Sequence, residues 1–429
     1  MKKIRISVVV LCLSLLLNGC HSFRFATSIE DLISPVSPSG ENEEVLSALN
    51  NYCKEGYSLK VPSGGNYTTA FVFADLDSDG QNEALAFYEP SDSLGSVNMA
   101  VIQKGEKSWN VVNNIVGEGS GVNRVDFSDL NNDSVDEIIV GWSVISKSDV
   151  SNVNVYFRLD DSLTYESYSD SVTGNDFLCA DINEDSANDL LIFSTGSVNE
   201  SPYAELYSFD GKEKYKIGYT KLDSTITSFE KLSVGKTDAG TSVYVDALRA
   251  DGSSMVTEFI YYSNYYDSIV SPLYSYSTGR TSETTRNDLI YSSDIDGDSV
   301  IEIPTDYDDI SLPDKLSAQD WVSYKSTIFV HKCYTVSCKR DAYVLIVTDD
   351  ELEDLTFTYD EEGRELSAFE EDTLCYNIKA VLKSTYDSNP DDFLSYVKIY
   401  ENSGYVYLAR VNSETSYSTD YLAETIRTY

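Results

Sequence analysis

The sequence predicts a mainly β protein: a β-propeller of about five blades, within a range of five to seven, followed by a small C-terminal α+β domain. Three observations predict it. An acidic strand–loop–strand motif recurs along the chain. The strand runs are short and punctuated by Asp, Ser, Gly and Asn turns. The composition favours strands, with 33 Tyr among 429 residues. The expected division is a leader over residues 1–19, a tether over 20–40, the propeller over 41–310 and the C-terminal domain over 311–429.

Charge narrows the function. Asp and Glu number 71 against 31 Lys and Arg, a net charge of −40, yet 41% of the chain is hydrophobic. Such a chain folds but carries an acidic surface, which repels phosphate backbones and anionic headgroups. Nucleic-acid binding and polybasic membrane docking are therefore excluded. With only His21 and His331 present, a histidine-dependent mechanism has little material.

The first residues form an export signal. Lys2, Lys3 and Arg5 precede an apolar run from Val8 to Leu17, too short for the ~20 residues that span a bilayer. The run ends in Leu17-Asn18-Gly19-Cys20, which resembles the bacterial lipoprotein box. That resemblance implies a lipid on Cys20 and an anchor at the extracellular face of the cell membrane; the alternative is an ordinary signal peptide with an incidental Cys. Pro35, Pro38 and Gly40 mark the following tether. Beyond Cys20 stand Cys53, Cys179, Cys333, Cys338 and Cys375, an odd number that leaves at least one unpaired. Cys333 and Cys338 either close a small loop or are buried thiols on adjacent strands.

The repeat carries the chemistry. FVFADLDSDGQNEALAFY at 71–88, VDFSDLNNDSVDEIIVGW at 125–142, FLCADINEDSANDLLIFS at 177–194 and LIYSSDIDGDSVIEIPTD at 289–306 share one pattern. An apolar strand leads into Asp-x-Asp/Asn-x-Asp, an acid stands eight residues after the first Asp, and a second apolar strand follows. The first Asp residues, Asp75, Asp129, Asp181 and Asp294, are 54, 52 and 113 residues apart. The double step predicts a decayed copy, found at 228–248 with Gly235 in the first position; it retains only Asp238 and is expected to bind nothing.

Alternate carboxylates in a tight loop point inward and repel one another unless a hard cation sits among them; Ca²⁺ takes such oxygen cages. The ligand sets are Asp75, Asp77, Asp79 and Glu83; Asp129, Asn131, Asp133 and Glu137; Asp181, Asn183, Asp185 and Asp189; and Asp294, Asp296, Asp298 and Glu302. Gly80 allows a sharp turn in the first loop, where the others carry Ser134, Ser186 and Ser299. If that position needs a positive φ, each Ser costs about 1 kcal/mol, and the first loop is the best site.

These motifs resemble the FG-GAP/VCBS repeats, the calcium-loop propeller blades also found in integrin alpha chains, over roughly residues 57–305. The resemblance implies four-stranded blades, calcium at the positions just named, and a loop lying between the last strand of one blade and the first of the next. The wider layout is similar to lipoproteins of Gram-positive gut bacteria.

The remaining elements follow from local pattern. Glu41 to Tyr52 has helical spacing and is expected on the outside. A spacing of 52–59 residues per copy suits one four-stranded sheet, with the ring closed by pairing 57–74 against strands after residue 300. Toward the C-terminus, 343–350, 355–366, 376–384 and 405–411 read as strands. Asn389-Pro390 reads as the start of a helix to Glu401, and Thr419 to Ile426 as a terminal helix. Two further blades without motifs are the alternative to an α+β domain.

No catalytic signature emerges. GEGSG at 117–121 lacks the Lys of a phosphate loop and is not a nucleophile elbow. His331 alternates with apolar neighbours as a sheet-face residue does. The tyrosines of IYYSNYYDS at 260–268 read as cross-strand pairs, with stacking on sugar rings the alternative. The expected function is a cell-surface lipoprotein whose calcium-stabilised propeller binds a protein or glycan without turnover. A polysaccharide lyase or hydrolase using Tyr or carboxylates in a central cleft is the alternative.

Overall fold

A computed structural model describes residues 40–144, 147–159, 162–197, 200–325 and 327–428. The leader, Cys20 and the tether up to residue 39 lie outside the described residues. The chain is mainly β, laid out as six antiparallel sheets that follow one another along the sequence.

The first sheet holds Phe71–Ala74, Glu83–Pro90, Asn98–Lys104 and Trp109–Val116, joined by Tyr57–Lys60. The second holds Val122–Ser128, Glu137–Val144 and Lys147–Leu159, with short Thr164–Glu166 and Val172–Gly174. The third runs Asp176–Ala180, Asp189–Ser194, Tyr203–Asp210, Glu213–Lys221, and the fourth Ile226–Thr237, Gly240–Arg249, Met255–Ser263, Ser268–Val270. The fifth holds Ile303–Tyr307, Leu316–Lys325, Ile328–Cys338 and Tyr343–Val347, edged by Ile426–Thr428. The sixth is ordered Leu355–Asp360, Glu365–Glu370, Thr373–Leu382, Tyr405–Val411, Val397–Glu401.

The second strand of each of the first three motifs is buried on both faces, which is why EALAFY, EIIVGW and DLLIFS are nearly continuous apolar runs rather than alternating ones. Successive sheets pack face to face. Phe87 and Trp142 join the first and second, Phe157 and Ile192 the second and third, Leu206 and Val245 the third and fourth, and Phe259 and Val322 the fourth and fifth. The fifth and sixth share Val336, Tyr343, Ile378 and Tyr407 with Leu352 and Leu422 of two short helices.

The helix Glu41–Tyr52 lies where expected: Val45, Ala48 and Leu49 form one buried stripe against the outer face of the first sheet. At the other end, Tyr386 and Phe393, from the helix Lys383–Ser388 and the 3₁₀ turn Pro390–Phe393, cover Val381, Val406 and Leu408 of the sixth sheet. The expected closure by pairing 57–74 with strands after residue 300 is not what forms. Residues 83–86 pair with Phe71–Ala74 and residues 87–90 with Tyr57–Lys60, so one strand edge consumes both segments. Among the described residues no helix is long and apolar enough to cross a membrane.

Three C-terminal expectations change. Ile303–Tyr307 pairs with Leu316–Lys325, so the fifth sheet runs across the boundary placed at 310. The helix expected from Asn389 to Glu401 breaks up, because Val397–Glu401 forms a hairpin with Tyr405–Val411; there the Asn402 side chain accepts the N–H groups of Gly404 and Tyr405. The strand expected over 343–350 stops at Val347, where Thr348 and Glu351 form a capping box that starts the helix Asp349–Asp354. Thr419–Thr425 is helical as expected. Cys333 and Cys338 are free thiols on one strand, five residues apart and therefore on opposite faces, rather than on adjacent strands.

Candidate functional site: four acidic loops

The three loops beginning at Asp75, Asp129 and Asp181 each join two paired antiparallel strands of one sheet. Residues paired across the mouth are Ala74 with Glu83, Ser128 with Glu137 and Ala180 with Asp189. The fourth loop is closed in the same way by a bridge between Ser293 and Glu302, just ahead of Ile303–Tyr307. The loops therefore lie within hairpins rather than between successive sheets. The physical reason is that the closing acid opens the second strand opposite the residue before the first Asp.

One hydrogen-bonded cradle recurs in all four. The closing acid accepts the backbone N–H of the apolar residue after the first Asp: Leu76 to Glu83 at 3.0 Å, Leu130 to Glu137 at 2.9 Å, Ile182 to Asp189 at 3.1 Å and Ile295 to Glu302 at 3.2 Å. Those four apolar residues are buried plugs. The first Asp accepts the N–H five residues on, from Gly80, Ser134, Ser186 and Ser299, at 2.8–3.1 Å. The copy containing Gly235 has no such loop: Gly235 pairs with Ser242 in the ladder, and Asp238 and Ala239 form the turn between Thr237 and Gly240.

Burial gives these loops unusual electrostatics. Glu83, Glu137, Asp189 and Glu302 are at most 2% exposed. Desolvation, reinforced by the neighbouring loop carboxylates, pushes their carboxyl groups up to about 7, 8, 6 and 7 respectively. Asp181 Oδ1, Asp189 Oδ1 and Glu302 Oε1 are buried without a hydrogen-bond partner, so each has an oxygen free to ligate a cation. Two groups bring one oxygen from each carboxylate within 4.8 Å of one another: Asp75, Asp77 and Glu83, and Asp294, Asp296, Asp298 and Glu302. In the middle loops an Asn holds the third position; Asn131 and Asn183 each accept the N–H of the Asp two residues on, at 3.0 Å. The donor set is all oxygen, and it fits a hard divalent ion.

Backbone conformation separates the copies. Gly80 has φ 87°, and Ser134, Ser186 and Ser299 share the left-handed region at 68°, 77° and 70°. A Cβ at Gly80 meets nothing within 4 Å, so the Gly80→Ala variant is expected to lose about 1 kcal/mol through backbone strain alone. Urea denaturation in EDTA measures it; a midpoint identical to wild type would show that the loop relaxes.

Sequence reasoning missed Lys332. Its ammonium, carried on Ile328–Cys338, contacts Asp298 and lies 3.4 Å from Asp296. An internal cation is thus already seated against the Asp294–Glu302 loop, and nothing in the local motif signals it because Lys332 is 34 residues from Asp298. Lys332→Gln is expected to tighten divalent-ion binding at that loop about two- to five-fold, the scale of a partly exposed ion pair. Terbium luminescence, sensitised by nearby Tyr or Trp, would resolve it.

Other singled-out residues have structural surroundings. His331 Nδ1 lies 2.6 Å from Asp320 Oδ1 on the surface of the fifth sheet. Tyr261 and Tyr262 are half-buried in the fourth sheet, while Tyr265 and Tyr266 project from its turn with ring centroids 4.9 Å apart.

No family model matches this chain, and neither does any curated protein. Solved structures give distant likenesses. Sqt1 from Chaetomium thermophilum is 8% identical with a TM-score of 0.35, covering 69% of this chain and 68% of that one. A hypothetical selenium-binding protein from Sulfolobus tokodaii is 9% identical with a TM-score of 0.28, covering 70% and 72%. Likenesses this distant carry no functional argument.

Proposed function

We propose that the chain is a calcium-stabilised binding module of the FG-GAP/VCBS kind, its sheets set in an open, propeller-like arc. In this reading a lipid on Cys20 holds it at the outer face of a cell membrane, and it engages an extracellular protein or glycan without turnover. The observation that carries the reading is the fourfold recurrence of one acidic cradle with a buried closing acid. Asp75, Asp77, Asp79 and Glu83 would hold one ion, and the corresponding residues of the other three loops would hold theirs. When bound, calcium neutralises carboxylates that otherwise repel one another across a hairpin mouth. Extracellular modules bind calcium at about 10⁻⁴–10⁻³ M, within reach of the ion outside cells. A glycan and protein array probed with the calcium-loaded chain, with product analysis of every hit, tests the reading. Saturable binding without product supports it, and release of cleaved product would replace it with the lyase or hydrolase.

A further inference from the structure

A cavity of about 230 Å³ opens at the ends of the strands opposite the acidic loops. In the second and third sheets the repeat itself builds its wall: Asn123-Arg124 and Asn175-Asp176 each stand six and five residues before the first Asp of their loops. Ser228 and Phe229 of the fourth sheet and the segment 63–65 of the first complete it. That segment is laid against the second sheet by Ser63 N–H to the Val122 carbonyl at 3.1 Å and Gly64 N–H to the Asn123 carbonyl at 2.8 Å.

Arg124 is the centre of the wall. Its Nη1 donates to Asp176 Oδ1 at 2.9 Å and its Nη2 to Asp126 Oδ2 at 3.2 Å, while the guanidinium lies 5.0 Å from the centre of the Phe177 ring. Arg124 Nε is buried with no partner. The Asn123 amide is fixed between Ser143 and Ser151, at 2.5 and 2.8 Å, so this part of the wall is held in place before any ligand arrives. Asp149 adds an exposed carboxylate to the wall and Phe229 a half-buried apolar surface.

We propose that this cavity binds one neutral hydroxylated ring, the terminal sugar of a glycan; the proposal rests on the binding-module reading and names its site. Drug-sized ligands need about 300–1,000 Å³, so this space takes a single ring. A sugar hydroxyl accepts from a guanidinium N–H while donating to a carboxylate, and the wall presents both. An anionic ligand is disfavoured, because two carboxylates already neutralise Arg124 and the chain carries −40 overall. The apolar face of a pyranose would lie on Phe229.

The test screens the calcium-loaded chain against a panel of free neutral monosaccharides by saturation-transfer NMR, followed by calorimetry. Asp149→Ala, a change at an exposed side chain, is expected to weaken the best binder at least tenfold, and Ser228→Trp to abolish binding by filling the space. Both variants must keep the wild-type melting temperature. If an array glycan binds wild type and both folded variants equally, the cavity assignment is overturned while the module reading stands. A folded wild-type chain that binds no sugar of the panel but captures a protein also overturns it. Sugar binding lost in both variants, with melting insensitive to calcium, supports the cavity and overturns the calcium reading instead.

Discussion

At pH 8, about 10 mM calcium is expected to raise the melting temperature of the chain by several degrees over EDTA, and at pH 5 the difference should nearly vanish. An ion present at 100 times its dissociation constant stabilises the state that binds it by about 2.7 kcal/mol per site. The pH dependence follows from the closing acids. Their folded values, about 7 for Glu83, 8 for Glu137, 6 for Asp189 and 7 for Glu302, lie above the ordinary carboxylate range. A metal-free fold therefore holds more protons than the unfolded chain between roughly pH 4.5 and 8, and it loses stability as pH rises through that window. Calcium displaces those protons, so its stabilisation grows over the same interval. Differential scanning calorimetry at both pH values, with and without calcium, measures the difference. Equal melting curves at pH 8 would remove the cation from the account.

Arg286→Ala is expected to destabilise the chain by about 3–5 kcal/mol, the largest effect of a single substitution proposed. Arg286 and Asp246 are both 0% exposed and paired at 2.8 Å. Asp246 also accepts Ser292 N–H at 2.8 Å and Ser292 Oγ at 2.9 Å, while Arg286 donates to Thr257 Oγ1 at 2.8 Å and to the Ile290 carbonyl at 2.7 Å. Truncation leaves a buried carboxylate without its counter-charge. It also frees the irregular stretch between Val270 and Ile303 that leads into the Asp294–Glu302 loop, so ion binding there should weaken as well. Arg286→Met combined with Asp246→Leu should recover most of the loss, because the charge that needs compensation is gone. Urea midpoints for the two variants decide it; a loss below about 1 kcal/mol in Arg286→Ala would show that water reaches Asp246.

The acidic loops were legible because everything that shapes them is local. The apolar plug, the alternating acids and the closing acid lie within nine residues, and the acids accept backbone N–H groups two to seven residues away. The helix Glu41–Tyr52 was legible for the same reason, from its i, i+3, i+4 stripe. The stretch 389–401 was misread because its helical start signal is also local, whereas the hairpin partner that overrides it, Tyr405–Val411, is chosen by the core of the sixth sheet.

By itself the amino-acid order determined the mainly β character, the period of the sheets and the composition of every acidic loop, since strand patterning and turn chemistry act over a few residues. Only the tertiary structure decided which edge 57–74 would pair with, that the loops close hairpins, and that Lys332 reaches into one of them. It also brought Arg124 to Asp176 and Arg286 to Asp246. Those outcomes depend on which sheet packs against which, and burial of a charge far along the chain is a property of the assembled core rather than of any window of sequence.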